Sequence, residues 1–356
     1  MKSNSDFIFN GKLGMLTNGI TKWQCPSNIA LVKYWGKLED QIPANPSISF
    51  TLKNCHTNTQ LTYEKSNQLS FEVWVEGKRE LGFEPKIKTF LNRIEGYCPY
   101  LSTLKLRIDT YNSFPHSSGI ASSASGLSAL AMCIMEIEKS MSLKLPKKYV
   151  LEKASFLARL GSGSAARSVY PGMASWGESL EFEGSSDLVA TPFTEFHTVF
   201  SNYQDTVLLV DRGQKQVSST VGHNLMNGHP FAEKRFEQAH ENLAQLKTAL
   251  ISGDLVNFNS IVESEALTLH AMMMTSNPYF ILMKSNTLAI IEKIWEYRKE
   301  HNLNITITLD AGANVHVLYP FAEKEQVLPF IKDELSVFCE KGMYICDEVG
   351  NGAQAL

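Results

Sequence analysis

The chain has 356 residues, of which 44% are hydrophobic and 20% are charged, and its formal net charge at pH 7 is -4. This length exceeds what one small hydrophobic core usually supports, so we expect two packed domains. The composition is ordinary for a globular protein, and the slight acidic excess argues against nucleic acid or an anionic membrane surface as a partner. An anionic ligand must therefore be held by locally placed cations.

The amino-terminal stretch and the cysteines favour a cytoplasmic location. Residues 1–20 contain neither the unbroken apolar core nor the cleavage site of a signal peptide, and no apolar run approaches the length that spans a bilayer. The six cysteines form no CxxC pair and lie far apart, which suits free thiols in a reducing compartment. Since HExxH is absent and the histidines do not cluster, we expect no structural metal.

The first series of predicted elements consists of strands followed by helices. Alternating, β-branched runs within residues 47–75 indicate mainly antiparallel strands, and LKLRIDTY at 104–111 indicates another. Apolar residues at helical spacing then predict helices at 126–140 and 146–160.

The second series also begins with a strand. The run TVLLVD at 206–211 predicts that strand, and NITITLD at 304–310 predicts a buried strand that ends on an acid. Between them lie long helical patterns at 231–251, 254–272 and 284–301. Because neither series shows regular βαβ alternation, we predict an α+β fold of two domains, residues 1–200 and 201–356.

Small residues crowd the stretch FPHSSGIASSASG, residues 114–126, where the first of these helices begins. A helix start offers unpaired backbone N–H groups and the positive end of the helix dipole, and small side chains let a phosphate approach them. Ser122 or Ser123 would cap the helix or donate a hydroxyl. Tight helix packing is the alternative explanation. The chain contains no GxxxxGK[ST] sequence, which excludes a P-loop NTPase.

A second small, serine-rich turn lies in ARLGSGSAARSVYPGMASW. Residues 161–166 fit GxGxxA, but the segment before them is helical in pattern, so a dinucleotide-binding turn would lack its strand. Arg167 lies in this turn among Ser162, Ser164 and Ser168. Its planar guanidinium suits a carboxylate or phosphate, and this setting favours a lined cavity over an ordinary surface loop.

Two more segments carry charges in apolar surroundings. In NIALVKYWGKLED, Lys33 lies inside an apolar run, where a lysine needs an anion or a shifted pKa, whereas Lys37 also fits a stem packed on Trp35. In TITLDAGANVHV, Asp310 ends the predicted strand. Such an aspartate either bonds its own turn or, beside a polyphosphate site, acts as a general base or charge organiser.

Together these stretches resemble the diphosphomevalonate decarboxylases of the GHMP kinase superfamily. NIALVKYWGK, FPHSSGIASSASG, ARLGSGSAARS and LDAGAN carry the resemblance, which extends from about residue 22 to the C-terminus. It implies an N-terminal domain like domain 2 of ribosomal protein S5, a ferredoxin-like C-terminal domain, and an active site between them. The implied reaction converts mevalonate 5-diphosphate and MgATP to isopentenyl diphosphate, ADP, phosphate and carbon dioxide.

The resemblance also implies roles for the residues above. Asp310 would face the tertiary 3-hydroxyl, Lys33 would lie near Asp310 and the transferred phosphoryl group, and Arg167 would clamp the substrate carboxylate. These three are the expected catalytic residues. The substrate diphosphate would contact six residues, namely Tyr34, Lys37, Ser162, Ser164, Ser218 and Ser219.

ATP, Mg²⁺ and a second subunit belong to the same expectation. The hydroxyl of Ser123 would help to hold Mg²⁺. The resemblance implies a homodimer, for which the sequence pattern identifies no interface. The ATP phosphates would contact the small residues of the loop and helix start, namely Ser117, Ser118, Gly119, Ala121, Ser122, Ser123 and Ala124.

Departures from the family's usual pattern leave the phosphorylation state of the substrate open. Ala313 stands where the family usually has proline, and Asn45-Pro46-Ser47 stands where it usually has NSS. The alternative functions are a mevalonate 5-phosphate decarboxylase, a mevalonate 3-kinase-like enzyme, and a non-catalytic metabolite sensor of the same fold. The presence of all three expected catalytic residues favours complete decarboxylation.

Overall fold

The computed structural model contains two β-sheets, each covered by helices. It describes residues 2–11, 16, 18–115, 120–142, 145–213 and 219–356, and for residues 219 and 220 the backbone alone. Within this part of the chain the larger sheet has eight strands and the smaller sheet has four.

The larger sheet is mainly antiparallel, as the alternating runs in the sequence predict. Its strands are, in chain order, β1 (Gly19–Val32), β2 (Ser47–Lys65), β3 (Ser70–Val75), β4 (Lys78–Arg79), β5 (Leu104–Asn112), β6 (Met173–Trp176), β7 (Thr191–Phe193) and β12 (Gln354–Ala355). They follow the order β12-β1-β2-β5-β3-β4, while β6 pairs with both β2 and β7. Strands β3 and β5 run parallel.

In the described part of this half, three α-helices pack: α1 (Glu84–Ile94), α2 (Ser122–Met141) and α3 (Lys147–Gly161). Helix α2 contacts β1, β2 and α3. Most of its residues are buried because LSALAMCIMEI is apolar on nearly every face. The two helices predicted at 126–140 and 146–160 are therefore confirmed, with α2 starting directly after Ala121, a residue in the left-handed conformation.

The smaller sheet has the order β11-β8-β10-β9, and its neighbouring strands are antiparallel. The strands are β8 (Gln204–Leu208), β9 (Thr306–Leu309), β10 (Val315–Tyr319) and β11 (Tyr344–Glu348). The helices of this half are α4 (Ser219–Asn224), α5 (Ala232–Ser252), α6 (Leu255–Met274), α7 (Ser285–His301) and α8 (Lys324–Phe330).

This connectivity agrees with the ferredoxin-like half that the resemblance implies. Helices α4 to α7 lie between the first two strands of the smaller sheet and α8 lies between the last two, so the order is βαββαβ with extra helices. Apolar side chains from β9, β10, α7 and α8 form one core under the sheet. The predicted α+β fold is confirmed.

The two halves are joined by backbone pairing as well as by packing. The terminal strand β12 pairs with β1, with Ala355 opposite Trp23. The carboxylate of Asp347 on β11 accepts hydrogen bonds from the backbone N–H groups of residues 53 to 55 on β2, at 2.7–2.8 Å. The domain boundary near residue 200 stays a prediction, and the last strand, which that division assigns to the second domain, is bonded to the larger sheet.

The first residues of the chain also pack on the larger sheet's half. Phe7 stacks on Phe156 with ring centroids 4.5 Å apart, and Phe9 meets the edge of Tyr100 at 5.1 Å. Phe7 and Phe9 are buried, so this segment closes one end of the core. Among the described helices, none combines the length and the apolar character needed to cross a bilayer.

Candidate active site

Lys33 follows the last residue of β1 and is only 2% exposed. Its Nζ donates a hydrogen bond to the carbonyl oxygen of Ala30 at 2.6 Å. Burial lowers the pKa of Lys33 to about 8, and the carboxylates of Asp310 and Glu265 oppose that effect. Lys33 therefore has the shifted pKa that its apolar run indicates, and it remains mostly cationic at neutral pH.

Arg167 lies in the short 3-10 turn Gly163–Val169 and is likewise buried. Its Nε donates to the hydroxyl of Ser49 at 2.8 Å, one terminal nitrogen donates to the hydroxyl of Ser47, and the other lies 3.4 Å from Oδ1 of Asn28. Burial lowers the pKa of Arg167 to about 10, so the group stays charged at neutral pH. Because these three acceptors are neutral, the cation keeps its capacity to bind an anion.

Asp310 follows β9 directly, and its backbone is held from two sides. Its carbonyl oxygen accepts hydrogen bonds from Gly312 N at 2.7 Å and from Nε2 of His270 at 3.2 Å. Burial lowers the pKa of His270 to about 4, so this histidine is neutral and carries its proton on Nε2. The side-chain charge of Asp310 raises the pKa of both Lys33 and Arg167 against the effect of burial, so Asp310 lies near both cations.

Four rings, those of Tyr34, Trp35, Trp176 and His223, form an aromatic wall beside these residues. The ring of Tyr34 meets Trp176 edge-on at 4.8 Å and His223 of α4 at 4.2 Å, and His223 lies 4.6 Å from Trp35. The hydroxyl of Tyr34 is buried without a hydrogen-bond partner among the described residues. Burial raises the pKa of Tyr34, so the phenol is protonated and can donate to a ligand.

Two glycines make this wall possible. Gly36 adopts a φ of +94°, and its N–H donates to Nδ1 of His223 at 3.0 Å. A Cβ at Gly163 would come within 2.6 Å of Trp176 and 2.9 Å of the Tyr34 ring. The glycine therefore lets the serine-rich turn lie against the aromatic wall, and any larger residue there would separate them.

The residues expected at the substrate diphosphate lie around this wall. Ser162 directly follows α3 and Ser164 lies in the next turn, and both are partly exposed. Lys37 is half-buried, and burial together with the charge of Arg93 lowers its pKa. Ser219 begins α4 with its backbone described, whereas Ser218 lies outside the described residues.

The start of α2 is where the sequence predicts an anion site. Ala121 has a φ of +44°, and α2 begins at Ser122 without a side-chain cap on its first N–H groups. The exposed hydroxyl of Ser123 accepts a hydrogen bond from Nζ of Lys86 at 2.7 Å. Ala124 is buried, and Ser117, Ser118 and Gly119 lie outside the described residues.

A pocket opens beside this helix start. Its walls come from β2, β3, β5, α2 and α1 with the residue before α1, and they are largely apolar, with Val73, Val75, Phe83, Ile108 and Leu130 among them. Ser122, Ser123 and Lys86 line the same pocket. An apolar slot that ends in hydroxyl, amine and helix-start donors can hold a flat base and its phosphates together.

Several site residues escaped the sequence analysis. Asn28 links Arg167 to the serine-rich turn, since its Nδ2 donates to Ser168 Oγ at 2.7 Å. Ser47 and Ser49 were detectable in principle, because residues two apart on a strand share one face. His223 and His270 gave no such signal: each is one histidine on a helix, and only tertiary packing brings it to the site.

Two family models match the chain. Residues 25–188 match the diphosphomevalonate decarboxylase-like N-terminal domain, and residues 206–349 match the mevalonate 5-diphosphate decarboxylase C-terminal domain. The chain is 28% identical over 324 residues to the diphosphomevalonate decarboxylase of Candida albicans, a match that covers 86% of each chain.

Solved structures agree with these matches. The mevalonate diphosphate decarboxylase of Staphylococcus aureus superposes with a TM-score of 0.82 at 27% identity, covering 96% of this chain and 98% of that one. A structure of MDDEF in complex with MVAPP, AMPPCP and magnesium has the same TM-score at 26% identity and covers 96% and 99% of the two chains. The chain belongs to the diphosphomevalonate decarboxylase family.

Proposed function

We propose that the protein catalyses the ATP-dependent decarboxylation of mevalonate 5-diphosphate to isopentenyl diphosphate, with release of ADP, phosphate and carbon dioxide. The proposal is supported by the partly exposed Asp310, whose charge acts on the buried Lys33 and on the buried Arg167, in a chain of this family. Two buried cations and a nearby carboxylate are the groups that phosphorylation of an alcohol and loss of a carboxylate require.

Arg167 binds the substrate carboxylate in this proposal. Its guanidinium is fixed by the hydroxyls of Ser47 and Ser49 and by Asn28, and its charge is not consumed by these neutral partners. A planar fork held in this way fixes the orientation of a carboxylate as well as its position. The bond that must break joins C2 to the carboxylate carbon. Fixing the carboxylate holds this bond at one angle to the leaving group on C3.

Asp310 and Lys33 act at the 3-hydroxyl. A tertiary hydroxyl is a poor leaving group, so it first becomes a phosphate ester. Asp310 orients the hydroxyl and takes up its proton, and Lys33 neutralises charge on the phosphoryl group as it is transferred. The C–O bond then breaks with its electron pair on the phosphate, and the electrons of the bond to the carboxylate form the new double bond. The carboxylate of Asp310 stabilises positive charge that develops at C3.

The substrate diphosphate lies against the aromatic wall. Tyr34 offers a buried phenol without a partner among the described residues, and Lys37 offers a half-buried ammonium. Ser162 and Ser164 add hydroxyls from the turn that contacts the wall through Gly163. We include Ser218 and Ser219 as further donors on the basis of the family resemblance.

ATP and Mg²⁺ fit the pocket at the start of α2. Its apolar part suits the base, and the donors at its mouth, namely Ser122, Ser123, Lys86 and the first N–H groups of α2, suit the phosphates. Within the described residues no cluster of three His, Cys, Asp or Glu side chains could hold a metal. This fits Mg²⁺ bound mainly by phosphate oxygens with one hydroxyl from Ser123. The complex of MDDEF with AMPPCP and magnesium supports the assignment.

We also propose a cytoplasmic homodimer. The free thiols of all six cysteines support a reducing compartment. The dimer rests on the family resemblance, and light scattering at micromolar concentration would test it: the mass of one chain would refute it.

The experiment that tests the function measures carbon dioxide released from carboxyl-labelled substrates in the presence of MgATP. Mevalonate, mevalonate 5-phosphate and mevalonate 5-diphosphate are compared at equal concentration, with Arg167→Lys as a negative control. We expect release from the diphosphate to exceed that from the other two. Greater release from the monophosphate would establish the monophosphate decarboxylase, ADP without carbon dioxide would establish the 3-kinase-like enzyme, and no turnover would favour a sensor.

A further inference from the structure

A fully buried ion pair contacts the backbone of Lys33. Arg235 is in the first turn of α5 and Glu265 is in the middle of α6, and both side chains are completely buried. The guanidinium of Arg235 donates hydrogen bonds to both carboxylate oxygens of Glu265, with N–O distances of 2.9 and 2.5 Å. Nδ2 of Asn242 donates to the same carboxylate at 2.6 Å.

The pair reaches across the junction of the two halves and holds the backbone of Lys33. Oε2 of Glu265 accepts the N–H of Lys33 at 2.8 Å, and Arg235 donates to the carbonyl oxygen of Lys33 at 3.3 Å. Asn45 of the larger sheet's half donates to that carbonyl as well, at 2.9 Å. Both backbone polar groups of one site residue are thus fixed by one ion pair of the other half.

We propose that Arg235 and Glu265 are positioning residues, which hold Lys33 of the first half in register with Asp310 of the second half. The inference rests on the proposed decarboxylation. Burying two charges is costly, and a buried ion pair is often no more stabilising than apolar residues of the same size. Its use here is geometric, because displacement of a catalytic group by about 1 Å can cost about 100-fold in rate.

The electrostatics point the same way. Burial lowers the pKa of Lys33, and the charged groups that face it are Asp310, Glu265 and Asp205, which raise the pKa, and Arg167, which lowers it further. Glu265 therefore helps to keep Lys33 protonated in addition to holding its N–H. Without Glu265 the pKa of Lys33 should be lower, so activity should disappear at a lower pH than in the parent.

The chain supplies a matched control. Lys153 and Glu138 form another buried pair, at 2.7 Å, between α3 and α2 in the core of the first half. That pair bonds Tyr97 and Tyr100, and among the described residues its hydrogen bonds reach none of the site residues named above. Replacing each pair by apolar residues, Arg235→Met with Glu265→Leu and Lys153→Met with Glu138→Leu, removes both charges together and leaves none unpaired.

The experiment compares the two double variants with the parent by melting curve, steady-state kinetics and hydrogen exchange of peptides spanning residues 28–36. For the Arg235/Glu265 variant we expect a melting temperature within about 8 °C of the parent, since a change of about 1 kcal/mol shifts it by a few degrees. We expect kcat to fall about 10-fold or more with the substrate KM changed less than about threefold, which indicates loss of positioning. The high-pH limb of kcat should move to lower pH, and amide exchange near Lys33 should become faster.

The control variant should keep the kcat, the pH profile and the exchange near Lys33 of the parent. Parental kcat in a folded Arg235/Glu265 variant, or an equal loss of kcat in both double variants, would overturn the proposal. If the Arg235/Glu265 double variant does not fold, Arg235→Lys takes its place, since lysine keeps the charge and loses the fork that reaches Lys33. If the parent itself releases no carbon dioxide, the proposed function fails. Separately, unchanged amide exchange near Lys33 in the Arg235/Glu265 variant would show that the ion pair does not hold the backbone of Lys33.

Discussion

Replacing Asp310 with Asn removes one charge from the centre of the site and leaves the backbone contacts in place. The carbonyl of Asp310 would still accept hydrogen bonds from His270 and Gly312, because these involve no side-chain atom of the aspartate. We therefore expect a folded variant. What is lost is the carboxylate that faces the 3-hydroxyl and that supports the positive charge of Lys33.

Two effects of this substitution add in the same direction. Loss of a general base or electrostatic stabiliser typically costs about 100-fold, which is about 2.7 kcal/mol of transition-state free energy at about 1.36 kcal/mol per tenfold. Burial already lowers the pKa of Lys33 to about 8, and Asp310 is the strongest of the charges that oppose this. Without it the pKa falls further, so a larger share of Lys33 is neutral at pH 7.5 and the rate drops beyond the direct loss.

The assay combines three measurements on one preparation: calorimetric binding of ATP and mevalonate 5-diphosphate, a melting curve, and single-turnover kinetics. We expect nearly parental affinities and melting temperature with a rate lower by about 100-fold or more. Asp347→Asn is the matched control, because Asp347 is a buried aspartate whose carboxylate bonds backbone N–H groups of β2. That variant should melt earlier and keep its turnover. Parental turnover in a folded Asp310→Asn variant would refute the role of Asp310.

Three further predictions follow from other parts of the site. Arg167→Lys should fold and lose about 10- to 100-fold in kcat/KM, because lysine cannot form the second bond of the fork; activity within a few-fold of the parent would exclude the clamp. Gly126→Leu should raise the KM for ATP and leave the KM for the mevalonate substrate unchanged, since Gly126 lines the pocket beside α2. Gly126→Ala serves as the control, because its Cβ would lie 4.0 Å from the nearest neighbouring side-chain atom. If both KM values were the same in the parent and in the two variants, the proposed ATP pocket would be contradicted. The parent's kcat should fall as pH rises through about 8, because the cationic form of Lys33 is the active one and its pKa in the folded protein is about 8; a flat profile up to pH 10 would show that this charge is not required.

The sequence reveals those parts of the site whose signal is local. Lys33 lies in an apolar run and Asp310 ends an apolar strand, and each position alone indicates an unusual charge. The small residues before α2 and around Arg167 indicate close approach by a ligand or by another segment. Around Arg167 that segment is the aromatic wall, since Gly163 allows the turn to contact Trp176 and Tyr34, while the ligand site before α2 stays a prediction.

What the sequence does not reveal depends on contacts between distant segments. Arg235 and Glu265 lie on different helices and look like ordinary surface charges of amphipathic patterns until packing buries them together. The pocket beside α2 draws its walls from three strands and two helices, none of which shows a cavity by its own pattern. The pairing of β12 with β1 is equally non-local, because two residues at the end of the chain carry no strand signal.

The central claim is that this site couples ATP consumption to loss of the substrate carboxylate. It is tested most directly by measuring ADP and carbon dioxide together in one reaction, with carboxyl-labelled mevalonate 5-diphosphate as the limiting substrate and excess MgATP. We predict equal amounts of ADP, carbon dioxide and isopentenyl diphosphate when the substrate is exhausted. ADP formed without carbon dioxide, or carbon dioxide formed without ATP, would contradict the account.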